Sequence, residues 1–369
     1  MKKILITATV QSHICQFHKP LMKMLKENGY EVHVAARDNL AEKNGLQMEY
    51  ADKVYNIPFD RSPFSVRNIK AYKELSKVLK ANRYDIIHTN TPMGGMVTRL
   101  AANKYRKKGT KVFYTAHGFH FYNGAPKKNW LIYYPIEKSM SRLTDKLITI
   151  NSEDYKLAKE KFHCDVYYVH GVGANSEKFY PMSNKERKAI RKEFGYSEST
   201  KIILNVGELL PNKNQKTAIL VMKELIKDYP DSKLLIAGNG PELDNLKQLT
   251  ADNNLTEHVD FLGYTTEINK YMNICDCLIA CSYREGLPLN IMEAMLCGKP
   301  VIASDNRGHR ELIKDGINGF IVEPEAITDY SEKVSKFSDN EIDVRKISVS
   351  VQPFTDAYVL SELKLIYSL

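Results

Sequence analysis

Short β-branched apolar runs alternate with longer stretches of helical periodicity along most of the chain. In the first half the runs fall at residues 3–9, 31–35, 85–89, 111–115 and 145–150, and each reads as a buried strand. Between residues 66 and 81, Ile69, Tyr72, Leu75, Val78 and Leu79 recur at helical spacing with lysines on the other positions, which predicts an amphipathic helix with those five side chains inward. Strand and helix in alternation predict a parallel sheet wrapped by right-handed crossovers. The pattern pauses where Gly171 and Gly173 fall, and the chain through Pro181 reads as a linker. A second series then begins, with strands at 201–206, 233–237, 259–262, 277–280, 300–303 and 319–322. The reading is an α/β chain of two doubly wound domains, 1–172 and 173–350. Residues 351–369 form an amphipathic helix with Tyr358, Leu360, Leu363, Leu365 and Ile366 on one side and no docking place specified by the pattern.

A length of 369 residues suits two such domains. Hydrophobic and charged contents of 43% and 26% are ordinary globular usage and exclude a disordered chain. The apolar run after Lys2 and Lys3 imitates a signal peptide, but it is short, contains Thr7 and Thr9, and meets Gln11, Ser12 and His13 instead of a small-residue cleavage site. It reads as the first strand. No stretch approaches the roughly 20 apolar residues of a spanning helix, so the protein is expected in the cytoplasm, with peripheral membrane contact at most. Six cysteines without a C-x-x-C pair suit reduced thiols, and Cys275, Cys277 and Cys281 read as small apolar residues around a buried strand rather than zinc ligands.

Charge changes the picture more. The net charge is +9, but residues 1–172 hold 29 Lys and Arg against 15 Asp and Glu, while the remainder holds 24 against 29. A basic first half fits an anionic membrane, a nucleic acid, or a merely well-solvated surface.

In open parallel sheets ligands bind outside the carboxyl ends of the strands, so polar and glycine-rich residues just after each apolar run are the candidates. Four places qualify. Gly207-Glu208-Leu209-Leu210-Pro211-Asn212-Lys213-Asn214 places a lysine beside a helix start, where ammonium, backbone N–H groups and helix dipole all favour a diphosphate. Gly238-Asn239-Gly240-Pro241 makes a tight turn with Pro241 at a first helical position, and Leu243 stands where a dinucleotide fingerprint needs a small residue. In the segment from Ser282 to Ala294, Glu285 lies in a loop and Glu293 two turns into the next helix. Each can accept hydrogen bonds from a polyol, with the amides near Leu289 and Asn290 free for phosphate between them. In the first domain, His117-Gly118 follows a buried strand immediately.

Taken together these segments resemble the retaining glycosyltransferases of family 4, especially those that build bacterial capsular and exopolysaccharides. Glu285 and Glu293 stand at that family's E-x7-E spacing, and the similarity extends through Gly298-Lys299-Pro300-Val301, Phe261-Leu262-Gly263, Arg307-Gly308-His309-Arg310-Glu311-Leu312 and, in the first half, His88-Thr89-Asn90-Thr91-Pro92 and His117-Gly118. The resemblance implies a GT-B fold, two Rossmann-like domains facing each other across a cleft, and transfer of a sugar from a nucleotide-diphosphate donor. It implies that Glu285 contacts the transferred sugar, Lys213 and the amides of Leu289 and Asn290 the diphosphate, Glu293 the ribose, backbone near Thr265 the base, and His117 the donor sugar, with Gly207 lining the donor loop. A UDP-sugar donor and a polyprenyl-diphosphate-linked acceptor are likewise implied.

Two positions depart from the family's pattern. Glu208 occupies the place where many members carry a diphosphate-binding arginine, and is assigned instead to a donor or acceptor hydroxyl. Ala8-Thr9 replaces a glycine pair in the first loop. No Asp-x-Asp sequence occurs, so neither a metal clamp nor a resident cofactor is expected. The alternatives are a nucleotide-sugar epimerase or hydrolase of the same architecture and, further off, a nucleic-acid-binding protein using Lys104, Arg106, Lys107, Lys108 and Lys111. The segment with Lys127, Lys128, Trp130, Leu131, Ile132, Tyr133, Tyr134, Lys138 and Arg142 reads as an interfacial helix or as packing against the first domain.

Overall fold

A computed structural model describes residues 1–42, 46–336 and 344–369. The chain divides into two units, Met1–Val172 with Val359–Leu369, and Gly173–Tyr358. The segment read as a separate tail is thus shared between them.

Unit 1 is a seven-stranded parallel sheet in the order β3-β2-β1-β4-β5-β6-β7. Its strands are β1 (Lys2–Val10), β2 (Tyr30–Arg37), β3 (Lys53–Asn56), β4 (Ile86–Asn90), β5 (Lys111–Ala116), β6 (Lys146–Thr149) and β7 (Asp165–Tyr168). The hydrophobic pattern locates all but β3 and β7. Those two are the edge strands, only four residues long, β3 mostly exposed and β7 mostly part-buried, so they carry no continuous apolar run. The sheet is crossed by α1 (Gln11–Phe17), α2 (Lys19–Glu27), α3 (Arg67–Ala81), α4 (Pro92–Arg106), α5 (Lys127–Ser141) and α6 (Ser152–Lys161).

Two helices sit differently from the sequence expectation. In α3, Ala71, Leu75, Val78 and Leu79 are buried, but Ile69 and Tyr72 are 60% and 43% exposed, and just before them Phe64 and Val66 are 88% and 77% exposed. In α5, Trp130, Tyr133 and Tyr134 pack on the core around Phe121, leaving Leu131 and Ile132 outward at 77% and 44% exposure beside Lys127 and Lys128. Arg99 of α4 anchors α5 from within: it is 1% exposed, lies 2.9 Å from Glu137, and stacks over Tyr114, whose hydroxyl also donates to Glu137.

Unit 2 carries a six-stranded parallel sheet in the order β10-β9-β8-β11-β12-β13. The strands are β8 (Lys201–Val206), β9 (Ser232–Ala237), β10 (Val259–Gly263), β11 (Cys277–Ala280), β12 (Val301–Ser304) and β13 (Gly319–Val322). All six follow from the apolar runs, because both faces of this sheet are covered. Ile202, Leu204 and Leu235 enter one core, and Ile203, Leu234 and Ile236 the other. The helices are α7 (Asn184–Glu193), α8 (Gln215–Leu225), α9 (Leu243–Asp252), α10 (Ile268–Ile274), α11 (Leu289–Leu296), α12 (Arg307–Leu312), α13 (Ile327–Lys336) and α14 (Val344–Ser350). Cys275, Cys277, Cys281 and Cys297 are buried free thiols, pushed up by burial, whereas Cys15 and Cys164 are half-buried.

The last helix, α15 (Asp356–Tyr367), returns to unit 1. Tyr367 enters the core around β1 and β2, its hydroxyl meeting His88 Nδ1. Glu362 accepts from both the backbone N–H and Nδ1 of His170, at 3.0 and 2.8 Å.

Candidate functional site

In each sheet the strand order reverses at its first strand, at β1/β4 in unit 1 and at β8/β11 in unit 2. Those switch points open a crevice at the carboxyl ends of the strands. In unit 2 the loops leaving β8 and β11 meet there. Lys213, on a 3-10 turn (Pro211–Lys213), places its Nζ 2.6 Å from Glu285 Oε1, the two side chains 25% and 14% exposed. The loops are also joined through backbone: Tyr283 N–H donates to the Asn212 carbonyl and Asn212 Nδ2 to the Arg284 carbonyl, at 2.9 and 3.0 Å.

The pair is held by residues that must be small or strained. Asn214, 3% exposed and left-handed at φ 52°, ends the turn and donates from Nδ2 to the carbonyls of Cys281 and Pro324. A Cβ on Gly238 would lie 1.9 Å from the Gly207 carbonyl oxygen, and one on Gly240 2.3 Å from that of Leu209. The second glycine loop therefore lies directly on the first. Pro241 sits in the turn ahead of α9 rather than at its first position. On the far side a Cβ on Gly308 would meet Glu285 Cβ at 2.8 Å, so the start of α12 backs the carboxylate.

His309 follows Gly308 in the same turn. Burial pushes its imidazole down to about 4, and Nδ1 lies 2.7 Å from the Ser304 carbonyl, which fixes the proton there. Its buried Nε2 then remains an acceptor without a hydrogen-bond partner among the described residues, close enough to feel the charge of Glu285.

Helix α11 starts beside this pair. Its N-cap is Pro288, which offers no side-chain cap, so Leu289 and Asn290 are the first two residues of an uncapped N-terminus. The Asn290 side chain donates to the Val206 carbonyl at 2.7 Å and accepts from the Ile291 amide. Glu293 is the fifth residue of the helix, one turn in rather than two. Its half-buried carboxyl group has no hydrogen-bond partner among the described residues, and burial, slightly offset by Lys178, pushes it up to about 8. Glu208 is exposed, and its carbonyl accepts from Gln215 Nε2. Thr265, after β10, accepts from the Glu267 amide.

The structure thus bonds Lys213 directly to Glu285, with Gly207 lying against the Lys213 side chain and Asn290 tied to the carbonyl of Val206 just before it. Among the described residues no hydrogen bond or ion pair ties Glu208, Thr265 or Glu293 to the Lys213–Glu285 pair. His117 belongs to the other unit. It follows β5, with Gly118 left-handed at φ 117°, and its Nε2 lies 3.3 Å from both His13 Nε2 and Asn90 Oδ1. Where the first loop lacks a glycine pair, Thr9 is tied instead to Thr91, which caps α4 at φ 65°.

Comparison with known proteins decides what these loops belong to. Residues 186–350 match the family described as "Glycosyl transferases group 1" and residues 3–151 that described as "Glycosyl transferase 4-like". EpsD of Bacillus subtilis, itself assigned as a glycosyltransferase, is 40% identical over 373 residues, covering 100% of this chain and 96% of that protein. The chain belongs to the family 4 glycosyltransferases. Another relative of this glycosyltransferase is the UDP-Gal:alpha-D-GlcNAc-diphosphoundecaprenol alpha-1,3-galactosyltransferase of Escherichia coli, 28% identical over 82% of this chain and 80% of the relative. Among solved structures, Anabaena HepE in complex with UDP and glucose superposes with a TM-score of 0.78 over 100% of both chains at 20% identity. The fold is GT-B.

Sequence reasoning about this glycosyltransferase missed His309, Asn214 and His13. Gly308-His309 and Asn214 were visible inside matching segments, but the need for a left-handed residue or a buried acceptor shows only when the loops are packed. His13 lies in a seven-residue helix with no chemical signature around it.

Proposed function

We propose that the chain transfers a hexose or N-acetylhexosamine from a UDP-sugar, with retention at the anomeric carbon, to a glycan on a polyprenyl diphosphate during bacterial surface polysaccharide synthesis. The observation that carries this is the Lys213–Glu285 pair at the β8/β11 switch point, beside an uncapped helix start. In the free protein the ammonium is balanced by the carboxylate. A donor exchanges that partner: its diphosphate takes Lys213 and the amides of Leu289 and Asn290, and Glu285 is released to accept hydroxyl hydrogens of the sugar. As the bond to the sugar breaks, charge grows on the diphosphate, and the fixed ammonium and helix N-terminus stabilise it.

Glu293 receives the ribose hydroxyls, backbone near Thr265 the base, and Glu208 a donor or acceptor hydroxyl. Gly207 lets the diphosphate approach the loop, and His117 serves the donor sugar from unit 1. The protein groups neutralise the leaving diphosphate, so transfer is proposed to need no added metal.

The acceptor reading is supported by the E. coli relative, whose name specifies a diphosphoundecaprenol-linked sugar. Placement at the inner face of the cell membrane is supported by the basic first half and by two exposed groups in unit 1. Phe64, Val66, Ile69 and Tyr72 lie among Arg61, Arg67, Lys70 and Lys73, and Leu131 and Ile132 lie beside Lys127 and Lys128. No helix among the described residues is long and apolar enough to cross a membrane.

The test is transfer of label from a panel of UDP-sugars to polyprenyl-diphosphate-linked mono- and disaccharides, with EDTA present. Labelled lipid product supports the reading. Release of free sugar or an epimer without lipid product, across the panel, favours the hydrolase or epimerase alternative.

A further inference from the structure

Unit 1 gathers three histidines at the end of its sheet. His13 comes from α1, His18 from the junction of α1 and α2, and His117 from the turn after β5. His18 does not continue the first helix: its backbone, at φ −118° and ψ 3°, redirects the chain, and Pro20 lies in the first turn of the next helix, where a missing N–H costs nothing. That break brings His13 and His18 to the same imidazole of His117. The ring centroids lie 4.6 Å apart for His13 and His117, 5.4 Å for His13 and His18, and 5.6 Å for His18 and His117. One nitrogen from each ring falls within 4.8 Å of the others.

We propose that His13, His18 and His117 form a zinc site, and that zinc bound there withdraws His117 from the donor sugar and inhibits transfer.

Two observations support it. Two nitrogens about 2.0–2.1 Å from a tetrahedral zinc are roughly 3.3–3.4 Å apart, and His13 Nε2 stands 3.3 Å from His117 Nε2. His18 is 5% exposed and buries an Nε2 that has no hydrogen-bond partner among the described residues, a cost that a coordinate bond would remove. Three imidazoles without a thiolate or carboxylate suit zinc, or cobalt as its spectroscopic substitute, better than magnesium or calcium. Three protein nitrogens leave a coordination position open to water or a ligand.

The binding half stands on the histidine geometry alone. The inhibition half rests on the donor-side role proposed for His117, and the experiment separates them. Tag-free protein is titrated with Co2+ followed by absorbance and with Zn2+ by competition, for the wild type, His13→Gln and His18→Gln. Transfer is then assayed with zinc and after EDTA.

The expected result is one tetrahedral Co2+ per wild-type chain, affinity weakened by roughly tenfold or more in both variants, and transfer lost with zinc and restored by EDTA. Absence of uptake by wild-type protein overturns the site whatever the variants do, as does unchanged uptake in folded variants. Uptake that depends on the histidines but leaves transfer unaffected overturns the inhibition and counts against the role of His117, not against the site.

Discussion

Lys213 Nζ and Glu285 Oε1 stand 2.6 Å apart, on loops that leave two neighbouring strands on either side of the sheet's switch point. Each is the other's charge partner while no diphosphate is bound. Removing the carboxylate therefore affects two steps in opposite directions. Glu285→Ala is expected to bind UDP at least as tightly as wild type, because the ammonium no longer has to leave a partner, and to lower transfer by about 10²-fold or more. Calorimetry with UDP and a transfer assay on the same preparation check this, and weakened UDP binding with normal turnover would reverse the roles given to the pair.

Gly308 should act on the same carboxylate from behind. A Cβ there would meet Glu285 Cβ at 2.8 Å and its backbone at 2.9 Å, so Gly308→Ala must displace the Glu285 loop and disturb its alignment with Lys213. The expected outcome is a fall in kcat with UDP affinity nearly unchanged. Gly240→Ala serves as the contrast. Its Cβ would meet only fixed backbone, 2.3 Å from the Leu209 carbonyl oxygen, and should cost more than about 2 kcal/mol of stability in denaturant unfolding.

Glu293 makes a pH-dependent signature. Its folded-state value of about 8 lies above the ordinary 4.5, so between those values the native protein holds a proton that the unfolded chain releases. The wild type therefore loses stability as pH rises through that window. Glu293→Gln lacks this loss and is expected to be more stable than wild type at pH 8.5, by about 2 kcal/mol once part exposure is allowed for. The difference should vanish by pH 4.5. Wild-type affinity for UDP should increase from pH 6.5 to 8.5 as the carboxylate ionises to accept ribose hydroxyls, and a flat profile would separate Glu293 from the ribose.

The division between what was legible in the chain and what was not follows burial. Every strand of the second sheet is written as an apolar run because both faces are covered. The edge strands of the first sheet, β3 and β7, are not. Lys213, Glu285 and Glu293 stood out as candidates because they follow the carboxyl ends of strands, and their roles came from the resemblance to the family's E-x7-E pattern. Ile69 and Tyr72 could not be placed correctly, since helical spacing fixes a face but not whether anything covers its whole width. The three-histidine cluster was invisible for a different reason: His13 and His18 meet His117 across about a hundred residues, through a helix break that no local pattern announces.

The exposed apolar and basic groups of unit 1 give a membrane prediction. Phe64 and Ile69 are 88% and 60% exposed, and neither is part of a core cluster. Exchanging both for Glu is expected to abolish sedimentation with liposomes of anionic lipid at low salt, leaving the melting temperature within a few degrees of wild type. Binding that survives the exchange would move the membrane contact to Leu131 and Ile132 or off this unit altogether.

Buried charge provides an independent check on the fold itself. Glu137 is the charge partner of Arg99, which is 1% exposed, so losing it leaves a buried guanidinium without its carboxylate. Glu137→Ala should therefore cost about 3–5 kcal/mol, read by denaturant unfolding.

The central claim is that a nucleotide diphosphate binds at Lys213 without a metal. Calorimetric titration of UDP into wild type and Lys213→Met, both in EDTA and both verified as folded by circular dichroism, addresses it directly. The account predicts one UDP per wild-type chain and affinity at least about tenfold weaker in the variant, the loss of one charge-assisted contact. Equal affinity in the two proteins, or wild-type binding that appears only when a divalent metal is restored, would contradict it.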